Sequence, residues 1–264
     1  MIETEIAEAH EFAVSLAREA GKLLRERFEG PRDVDHKGEI DLVTDADRAS
    51  EALIANAIRE RFPDHLLLAE EGSTGARSRG AWRWVVDPLD GTTNFAHRYP
   101  HFATSIALEH DGDVVVGAVY DPMRDEMFEA AKGMNARLNG EPIAVTSQSA
   151  LLSTLLATGF PYDLNARDES SRLWARFNNQ TQGVRRDGAA ALNLCYVAAG
   201  RLDGYWERPV QPWDKAAGAL IASEAGALVT GLTGTPFKVE DDGVIAANPG
   251  LHRAILAEIK AELG

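Results

Sequence analysis

The chain has 264 residues, of which 45% are hydrophobic and 26% are charged, an ordinary globular composition that can form a well-buried core. Its formal net charge of −14 at pH 7 argues against non-specific nucleic-acid binding, which needs Lys and Arg to neutralise phosphates. The same charge would repel an anionic substrate unless bound cations reversed the field locally. The acidic composition is therefore compatible with phosphate chemistry only if cations are present.

Cysteine content and hydropathy indicate a reducing compartment and no membrane. The one cysteine, Cys195, cannot form an intrachain disulfide. No apolar stretch approaches the ~20 residues that a membrane span needs, and the first residues are acidic where a signal peptide would be basic. We therefore expect a soluble, cytoplasmic protein with no membrane or nucleic-acid partner.

The first 70 residues show the patterns of two helices and a strand. Apolar side chains over residues 3–29 recur at helical intervals, and Gly30-Pro31 ends that pattern. Thr44 followed by Asp47 resembles an N-capping arrangement, which would open a second helix. The short apolar run over residues 66–69 then predicts a buried strand.

The rest of the chain predicts further strands and then helices. From residue 102 to about 130 apolar and polar residues alternate as in strands, and Asp111-Gly112 predicts a hairpin turn. Four later helices are expected, near residues 168–179, 188–200, 213–225 and 249–263. These patterns predict one compact mixed α/β unit over residues 1–264, with two lobes that meet near residue 150.

The segment WVVDPLDGTTNF, residues 84–95, carries the clearest chemical signal. A buried strand would deliver Asp87 at its carboxyl end, and the following proline would turn the chain because it cannot continue a ladder. Asp90 would come round to the same side, and a helix starting at Thr92-Thr93 would offer free N–H groups to an anion. Two carboxylates beside an anion site can hold a divalent metal against a phosphate, although Asp-Gly alone would indicate only a surface turn.

Residues 87–95, DPLDGTTNF, resemble the signature of the inositol monophosphatases. WDKAAG, residues 213–218, resembles the second signature of that family, and further similar stretches bring the resemblance to roughly residues 10 to 250. The resemblance implies the layered αβαβα sandwich of the lithium-sensitive sugar phosphatase superfamily, commonly a homodimer. A metal-site lobe would then span 1–150, and a substrate-pocket lobe 151–264.

The resemblance also implies a site for two or three Mg²⁺ ions. The ligands would be four acidic side chains and one main-chain carbonyl, those of Glu70, Asp87, Asp90, Asp214 and Leu89. Oxygen ligands of this kind suit Mg²⁺ and exclude soft metals. Without the resemblance, Asp214 would equally well be a helix cap, and Glu70 would be a solvated turn residue.

The implied reaction is hydrolysis of a small phosphate monoester by metal-activated water. Glu70 would orient the water, Thr92 would accept a hydrogen bond from it, and Asp47 would hold the Thr92 hydroxyl while also capping a helix. Lys37 would approach the metals from a loop. Contacts with the substrate would come from both parts of the pocket: Asp90, Gly91, Thr92, Gly188, Ala189, Ala190, Glu207 and Asp214.

The choice of substrate depends on the side that faces the alcohol. Glu207 resembles the family position that hydrogen-bonds a sugar or cyclitol hydroxyl, although the residues alone would also allow an exposed charge paired with Arg208 or with solvent. We expect a phosphoric monoester hydrolase acting on inositol-1-phosphate or another small phosphorylated polyol or sugar. Histidinol-phosphate phosphatase and fructose-1,6-bisphosphatase are alternatives, the second with Arg185 or Arg186 at the distal phosphate. A regulatory protein that retains the fold is a non-enzymatic alternative.

Overall fold

The computed structural model describes residues 2–30, 34–36, 42–70, 72–74 and 81–263. The helices within these ranges are α1 (Ile2–Glu29), α2 (Asp45–Arg61), α3 (Thr92–Ala96), α4 (Arg167–Asn178), α5 (Ala190–Ala198), α6 (Pro212–Glu224) and α7 (Pro249–Leu263). The strands are β1 (Val34–His36), β2 (Leu42–Thr44), β3 (Leu66–Ala69), β4 (Ser73–Thr74), β5 (Trp82–Asp90), β6 (Ala103–His110), β7 (Asp113–Asp121), β8 (Glu126–Ala131), β9 (Arg137–Leu138), β10 (Glu141–Pro142), β11 (Leu155–Thr158), β12 (Gly183–Arg185), β13 (Gly204–Glu207), β14 (Leu228–Thr230) and β15 (Val244–Ala247). The predicted helices are confirmed.

Two large sheets carry most of the strands. The first has eight strands in the order β10-β9-β8-β7-β6-β5-β3-β4, antiparallel except for the pair β3 and β5. The second has five strands in the order β12-β11-β13-β15-β14. The hairpin predicted at Asp111-Gly112 joins β6 to β7, and both turn residues have positive φ, 53° and 91°, as a tight hairpin turn requires.

Five layers result from the way these elements bury their apolar faces. Successive side chains of a strand point to opposite faces of its sheet, so Trp84 and Val86 pack with α1 and α2 while Val85 packs with α5 and α6. In the second sheet Tyr205 faces α5 and α6, and Trp206 faces α4 and α7. The order is helices, sheet, helices, sheet, helices, which confirms the predicted αβαβα sandwich.

Helix α6 lies unusually close to its neighbours in the central layer. A Cβ added at Gly117 of β7 would lie 2.8 Å from the Ala217 carbonyl oxygen, and one added at Gly218 would lie 2.6 Å from Cβ of Leu194. The small residues of WDKAAG therefore allow this close packing. The N-terminus of α6 is brought to the end of β5 in this way.

The expectation that Pro88 would end its strand is wrong. Strand β5 continues to Asp90, with Asp87 opposite Ser105 and Asp90 opposite Ala103. One extra residue on β5 is therefore accommodated as a bulge, where proline is tolerated because no ladder hydrogen bond is required of it. The Ser50 hydroxyl donates to the Pro88 carbonyl at 2.9 Å and satisfies it.

The two lobes stay a prediction. The strands of the first sheet come from residues 66–142 and those of the second from residues 155–247, but α5 and α6 pack against both sheets. Among the helices of the described ranges, none combines the length and the apolarity needed to cross a bilayer.

Candidate active site

A pocket opens where the carboxyl end of β5, the N-termini of α5 and α6, and the end of β13 meet. The residues that line it include all the predicted ligands and substrate contacts, namely Glu70, Asp87, Leu89, Asp90, Gly91, Thr92, Gly188, Ala189, Ala190, Glu207 and Asp214. Asp47 lies behind this wall, hydrogen-bonded to Thr92. Lys37 lies outside the described residues. The predicted residues that the structure describes thus lie together and come from both halves of the chain.

The bulge at the end of β5 presents two buried carboxylates, Asp87 and Asp90, which are 2% and 5% exposed. The Leu89 amide donates to Oδ1 of Asp87 at 2.9 Å and stabilises the turn. The amides of Ala190 and Ala191 donate to the two oxygens of Asp90 at 3.0 and 2.9 Å. Asp90 thereby joins β5 to the N-terminus of α5, where a negative charge is favourable.

The pocket concentrates negative charge. The pKa of Asp87 is raised well above its ordinary value, first by burial and then by the charges of Glu70, Asp214 and Asp90. Burial and the Asp214 charge likewise raise the pKa of Asp90, against the effect of its two amide hydrogen bonds. A cation among these groups would relieve both the burial and the repulsion.

The donor atoms fit a hard divalent cation by their chemistry. Four carboxylates and the Leu89 carbonyl line the pocket, and all are oxygen donors of the kind that Mg²⁺ prefers. As they are placed, no three His, Cys, Asp or Glu side chains of the described ranges form a group that could hold a metal by themselves. The ligand set therefore stays a proposal, supported by donor type and mutual repulsion.

Thr92 is held from behind by Asp47. Its Oγ1 lies 2.9 Å from Oδ1 of Asp47 and 3.0 Å from the Leu89 carbonyl oxygen. The other oxygen of Asp47 accepts from the Thr44 amide at 2.8 Å in a capping box at the start of α2. Asp47 therefore caps the helix and also holds the hydroxyl, as predicted. Because the single Thr92 proton is directed inward, its lone pairs can accept a hydrogen bond.

Gly91 is required by the backbone just before Thr92. Its φ is +93°, in the region that side chains disfavour. A Cβ there would lie 3.0 Å from the carbonyl oxygen of His101 and 3.3 Å from that of Gly188. The first turn of α3 can therefore approach the opposite wall only with glycine at this position.

Asp214 lies at the third position of α6, where its Oδ2 accepts a hydrogen bond from the Gln211 amide at 3.0 Å. The cap residue of α6 is Gln211, so the alternative of Asp214 as the cap itself is wrong, although Asp214 takes part in the capping box as its third helical residue. The side chain also lines the pocket, so capping leaves a place for it as a ligand. These two roles are compatible because a carboxylate has lone pairs on both oxygens.

On the alcohol side, Glu207 ends strand β13. Its Oε2 accepts a hydrogen bond from the Tyr205 hydroxyl. Burial raises the pKa of Glu207 to about 7, against the opposing effect of this hydrogen bond. Arg208 pairs instead with Asp242, at 2.9 Å, and with Glu169, so the alternative of a Glu207–Arg208 pair is wrong.

Sequence reasoning missed several residues of the site. The Asn94 amide donates to the carbonyl oxygens of His101 and Asp187, both at 2.8 Å, and so ties the loop after α3 to the segment before α5. Phe160 and Tyr162 also line the pocket. Tyr205 could have been found, because residues two apart on a strand share a face.

Comparisons with known proteins show which family the chain belongs to. The inositol monophosphatase family model matches residues 5–263. The chain belongs to this family. It is 42% identical over 254 residues to the Nus factor SuhB of Escherichia coli, covering 95% of each. It is also 44% identical over 222 residues to the inositol-1-monophosphatase of Synechocystis sp., covering 84% of this chain and 77% of that protein.

Solved structures of the same family share the fold. An inositol monophosphatase from Anabaena (Nostoc) sp. matches with a TM-score of 0.87 at 38% identity, covering 97% of each chain. The extragenic suppressor protein suhB from Bartonella henselae matches with a TM-score of 0.89 at 36% identity, covering 98% of this chain and 99% of that one. Family membership over the whole chain supports a phosphatase.

Proposed function

We propose that the protein is a Mg²⁺-dependent phosphatase that hydrolyses inositol-1-phosphate, or a similar small phosphorylated polyol, to the alcohol and phosphate. The observation that carries the proposal is the single pocket in which four acidic side chains meet helix N-termini on one side and Glu207 on the other. Membership of the inositol monophosphatase family supports the reaction class, and the inositol-1-monophosphatase of Synechocystis sp. supports the substrate.

Glu70, Asp87, Asp90, Asp214 and the Leu89 carbonyl would hold two or three Mg²⁺ ions, which when bound activate a water molecule and neutralise charge on the phosphate. Glu70, half-buried at the edge of the pocket, would orient the attacking water with its carboxylate. We expect lithium to inhibit by competing for these acidic oxygens.

The protein's own groups would align the reaction. Thr92 directs its proton toward Asp47 or the Leu89 carbonyl, so its oxygen would accept a hydrogen bond from the water. The first N–H groups of α3, at Thr92 and Thr93, would bind the phosphate oxygens as helix N-termini do. Asp90, whose two oxygens accept hydrogen bonds from amides of α5, would meet the phosphate as a ligand of the cations and not directly, because two anions repel each other.

The alcohol part of the substrate would lie between Glu207 and the segment from Gly188 to Ala190. Glu207 would accept a hydrogen bond from a substrate hydroxyl, because a carboxylate held at the pocket wall is an acceptor for such a group. The backbone of Gly188, Ala189 and Ala190 would form the opposite wall. A polyol with several hydroxyl groups fits this arrangement better than an apolar alcohol.

A phosphate-release screen tests the proposal. Purified protein is assayed with and without Mg²⁺ on inositol-1-phosphate, histidinol phosphate, fructose-1,6-bisphosphate and a 3′-phosphoadenosine phosphate. We expect Mg²⁺-dependent release, highest kcat/KM for inositol-1-phosphate, and inhibition by Li⁺. Equal phosphate release without divalent ions would overturn the metal assignment. A clear preference for histidinol phosphate would overturn inositol-1-phosphate as the proposed substrate.

One observation favours fructose-1,6-bisphosphatase as a second candidate. Arg186 lines the pocket and Arg185 does not, so one of the two predicted arginines could meet a distal phosphate. Arg186→Ala should then lower kcat/KM for fructose-1,6-bisphosphate far more than for inositol-1-phosphate. A loss shared by both substrates would remove this candidate.

A regulatory role beside catalysis is a candidate of a different class, because several relatives are named Nus factor SuhB. Complementation of an Escherichia coli strain that lacks its SuhB tests it. Rescue by both the parent chain and Asp90→Asn would show a role that does not need turnover, and rescue by neither would exclude that role. The homodimer and the cytoplasmic location belong to the proposal as well, and sedimentation analysis tests the dimer.

A further inference from the structure

Tyr205 is buried where an apolar ring would be expected to suffice. Its side chain is 0% exposed in the core between the two sheets. It lies on the middle strand of the five-stranded sheet, with Ala157 of β11 and Ala246 of β15 as its neighbours across the strands. The small neighbours accommodate the ring, and the central position fixes it. A phenylalanine would fill the same volume without burying a hydroxyl.

The buried hydroxyl is directed at the pocket. A buried tyrosine O–H needs an acceptor, and here the acceptor is Oε2 of Glu207, two residues further along the same face of β13. Tyr205 itself is not among the residues lining the pocket, whereas Glu207 is. The tyrosine therefore contacts the pocket through the carboxylate of Glu207.

Glu207 is confined from its other side as well. A Cβ added at Gly159 would overlap the Glu207 carboxylate, so the backbone at the end of β11 lies directly against it. The carboxylate is thus fixed between a hydroxyl donor and a main-chain surface. Fixing an acceptor in one orientation lowers the entropy lost when a ligand binds.

We propose that Tyr205 is a positioning residue that fixes the Glu207 carboxylate toward the alcohol part of the substrate and so sets substrate preference without taking part in the chemistry. The inference rests on the proposed function, because it assumes that Glu207 accepts a substrate hydroxyl. The hydrogen bond also favours the ionised form of Glu207 against burial, and the ionised carboxylate is acceptor-only at both oxygens.

Tyr205→Phe tests this inference with two substrates, inositol-1-phosphate and p-nitrophenyl phosphate, which lacks a neighbouring hydroxyl. We expect kcat/KM for inositol-1-phosphate to fall roughly tenfold, mainly through a higher KM, and that for p-nitrophenyl phosphate to stay within about twofold. A drop of equal size on both substrates, or no drop on either, would overturn the inference.

A matched control is available elsewhere in the fold. The Tyr120 hydroxyl donates to Asp125 at 2.7 Å, on strand β7 and away from the pocket. Tyr120→Phe removes a comparable tyrosine–carboxylate bond and should leave the ratio of the two kcat/KM values unchanged. If it changes that ratio as Tyr205→Phe does, the effect is one of general stability and the inference fails.

A double-mutant cycle separates this inference from the proposed function. Once Glu207→Gln is in place, adding Tyr205→Phe should change the substrate ratio by less than about twofold, because the group to be positioned has changed. An undiminished effect of Tyr205→Phe in that background would overturn the positioning role. If the parent protein does not prefer polyol phosphates over p-nitrophenyl phosphate at all, the proposed function fails instead.

Discussion

The two walls of the pocket differ in how firmly their side chains are held. The phosphate wall consists of Asp87, Asp90, Thr92 and Asp214. Backbone amides donate to the three aspartates, and the Asp47 carboxylate holds the Thr92 hydroxyl. The side chains of Asp87, Asp90 and Thr92 are at most 7% exposed. On the alcohol wall (Phe160, Tyr162, Arg186 and Glu207), Tyr162 is 46% exposed and Arg186 is exposed. Glu207 is fixed through Tyr205. Under the proposed function, the chemistry would thus be set by the firmly held wall, and the substrate preference by the more exposed one.

The comparison also explains where the strain of the site lies. Burial, and after it repulsion by neighbouring carboxylates, raises the pKa of Asp87 and of Asp90 on the phosphate wall, and the Asp214 charge extends the repulsion to Glu207. Such charge clusters reduce the stability of the free protein in return for binding a cation, a common trade between stability and activity. Substitutions in the two walls should therefore differ in which property of the protein they change, and not only in the size of the effect.

The largest effect is expected from the phosphate wall. Asp90→Asn should lower kcat by about 10²–10³-fold or more on every substrate, because an amide cannot supply the same negative charge to the cations. Asp214→Asn should behave similarly. Turnover at graded Mg²⁺ concentrations, with circular dichroism as the control for folding, measures the effect. Near-parental turnover at modest Mg²⁺ would contradict the metal assignment.

The alcohol wall should give a smaller and selective loss. Glu207→Ala should cost about 1.5–3 kcal/mol in kcat/KM for inositol-1-phosphate, as for a hydrogen bond to a charged group. Hydrolysis of p-nitrophenyl phosphate or 2-glycerophosphate should stay close to that of the parent. Parallel assays on these substrates test the prediction. An equal loss of kcat/KM on all of them would show that Glu207 has a structural or metal-supporting role instead.

Stability should respond in the opposite direction on the phosphate wall. Without divalent ions, Asp87→Asn should raise the melting temperature by about 2–4 °C, because it removes charge that Glu70, Asp214 and Asp90 repel. The Leu89 amide can still donate to the asparagine oxygen. Added Mg²⁺ should raise the melting temperature of the parent more than that of the variant. Scanning calorimetry with EDTA and with Mg²⁺ checks both statements, and a less stable metal-free variant would contradict them.

The last expected effect concerns the stability of the fold, at three buried histidines that belong to neither wall. Burial lowers the pKa of His65, His101 and His252 in the folded protein, whereas the unfolded chain protonates them near ~6.5. Below that pH the unfolded state binds more protons, so the free energy of unfolding should fall by at most about 1.4 kcal/mol per pH unit for each histidine. Urea unfolding between pH 7.5 and 5.5, with saturating Mg²⁺ to hold the pocket constant, measures the slope. His101→Gln should flatten it, and an unchanged slope would contradict the assignment.

Caps and turns were predictable from the sequence because the residues that form them lie close together in the chain. The capping box of Thr44 and Asp47 and the turn at Asp111-Gly112 are cases of this kind. The behaviour of Pro88 was not, because whether proline ends a strand or occupies a bulge depends on the neighbouring strand. The role of Asn94 was hidden for the same reason, since the second carbonyl that it reaches lies 93 residues further on.

The phosphate wall was predictable in its residue types because one motif of nine residues carries most of it. The alcohol wall was predictable only in part, through Glu207 and Arg186, since its members come from three separate segments that the second sheet brings together. Gly159 shows the limit clearly. Nothing in its neighbours along the chain indicates that a carboxylate 48 residues away occupies the space of its missing side chain.

The hydrogen bonds from the first amides of α5 to Asp90 give the site an internal spectroscopic probe. Two consecutive amide protons, those of Ala190 and Ala191, each point at one oxygen of the same carboxylate. Their nitrogen and proton resonances must therefore shift when the electron density on that carboxylate changes. With ¹⁵N-labelled alanine, the amide signals of these two consecutive residues would report directly on what approaches the pocket, without any substitution in the chain.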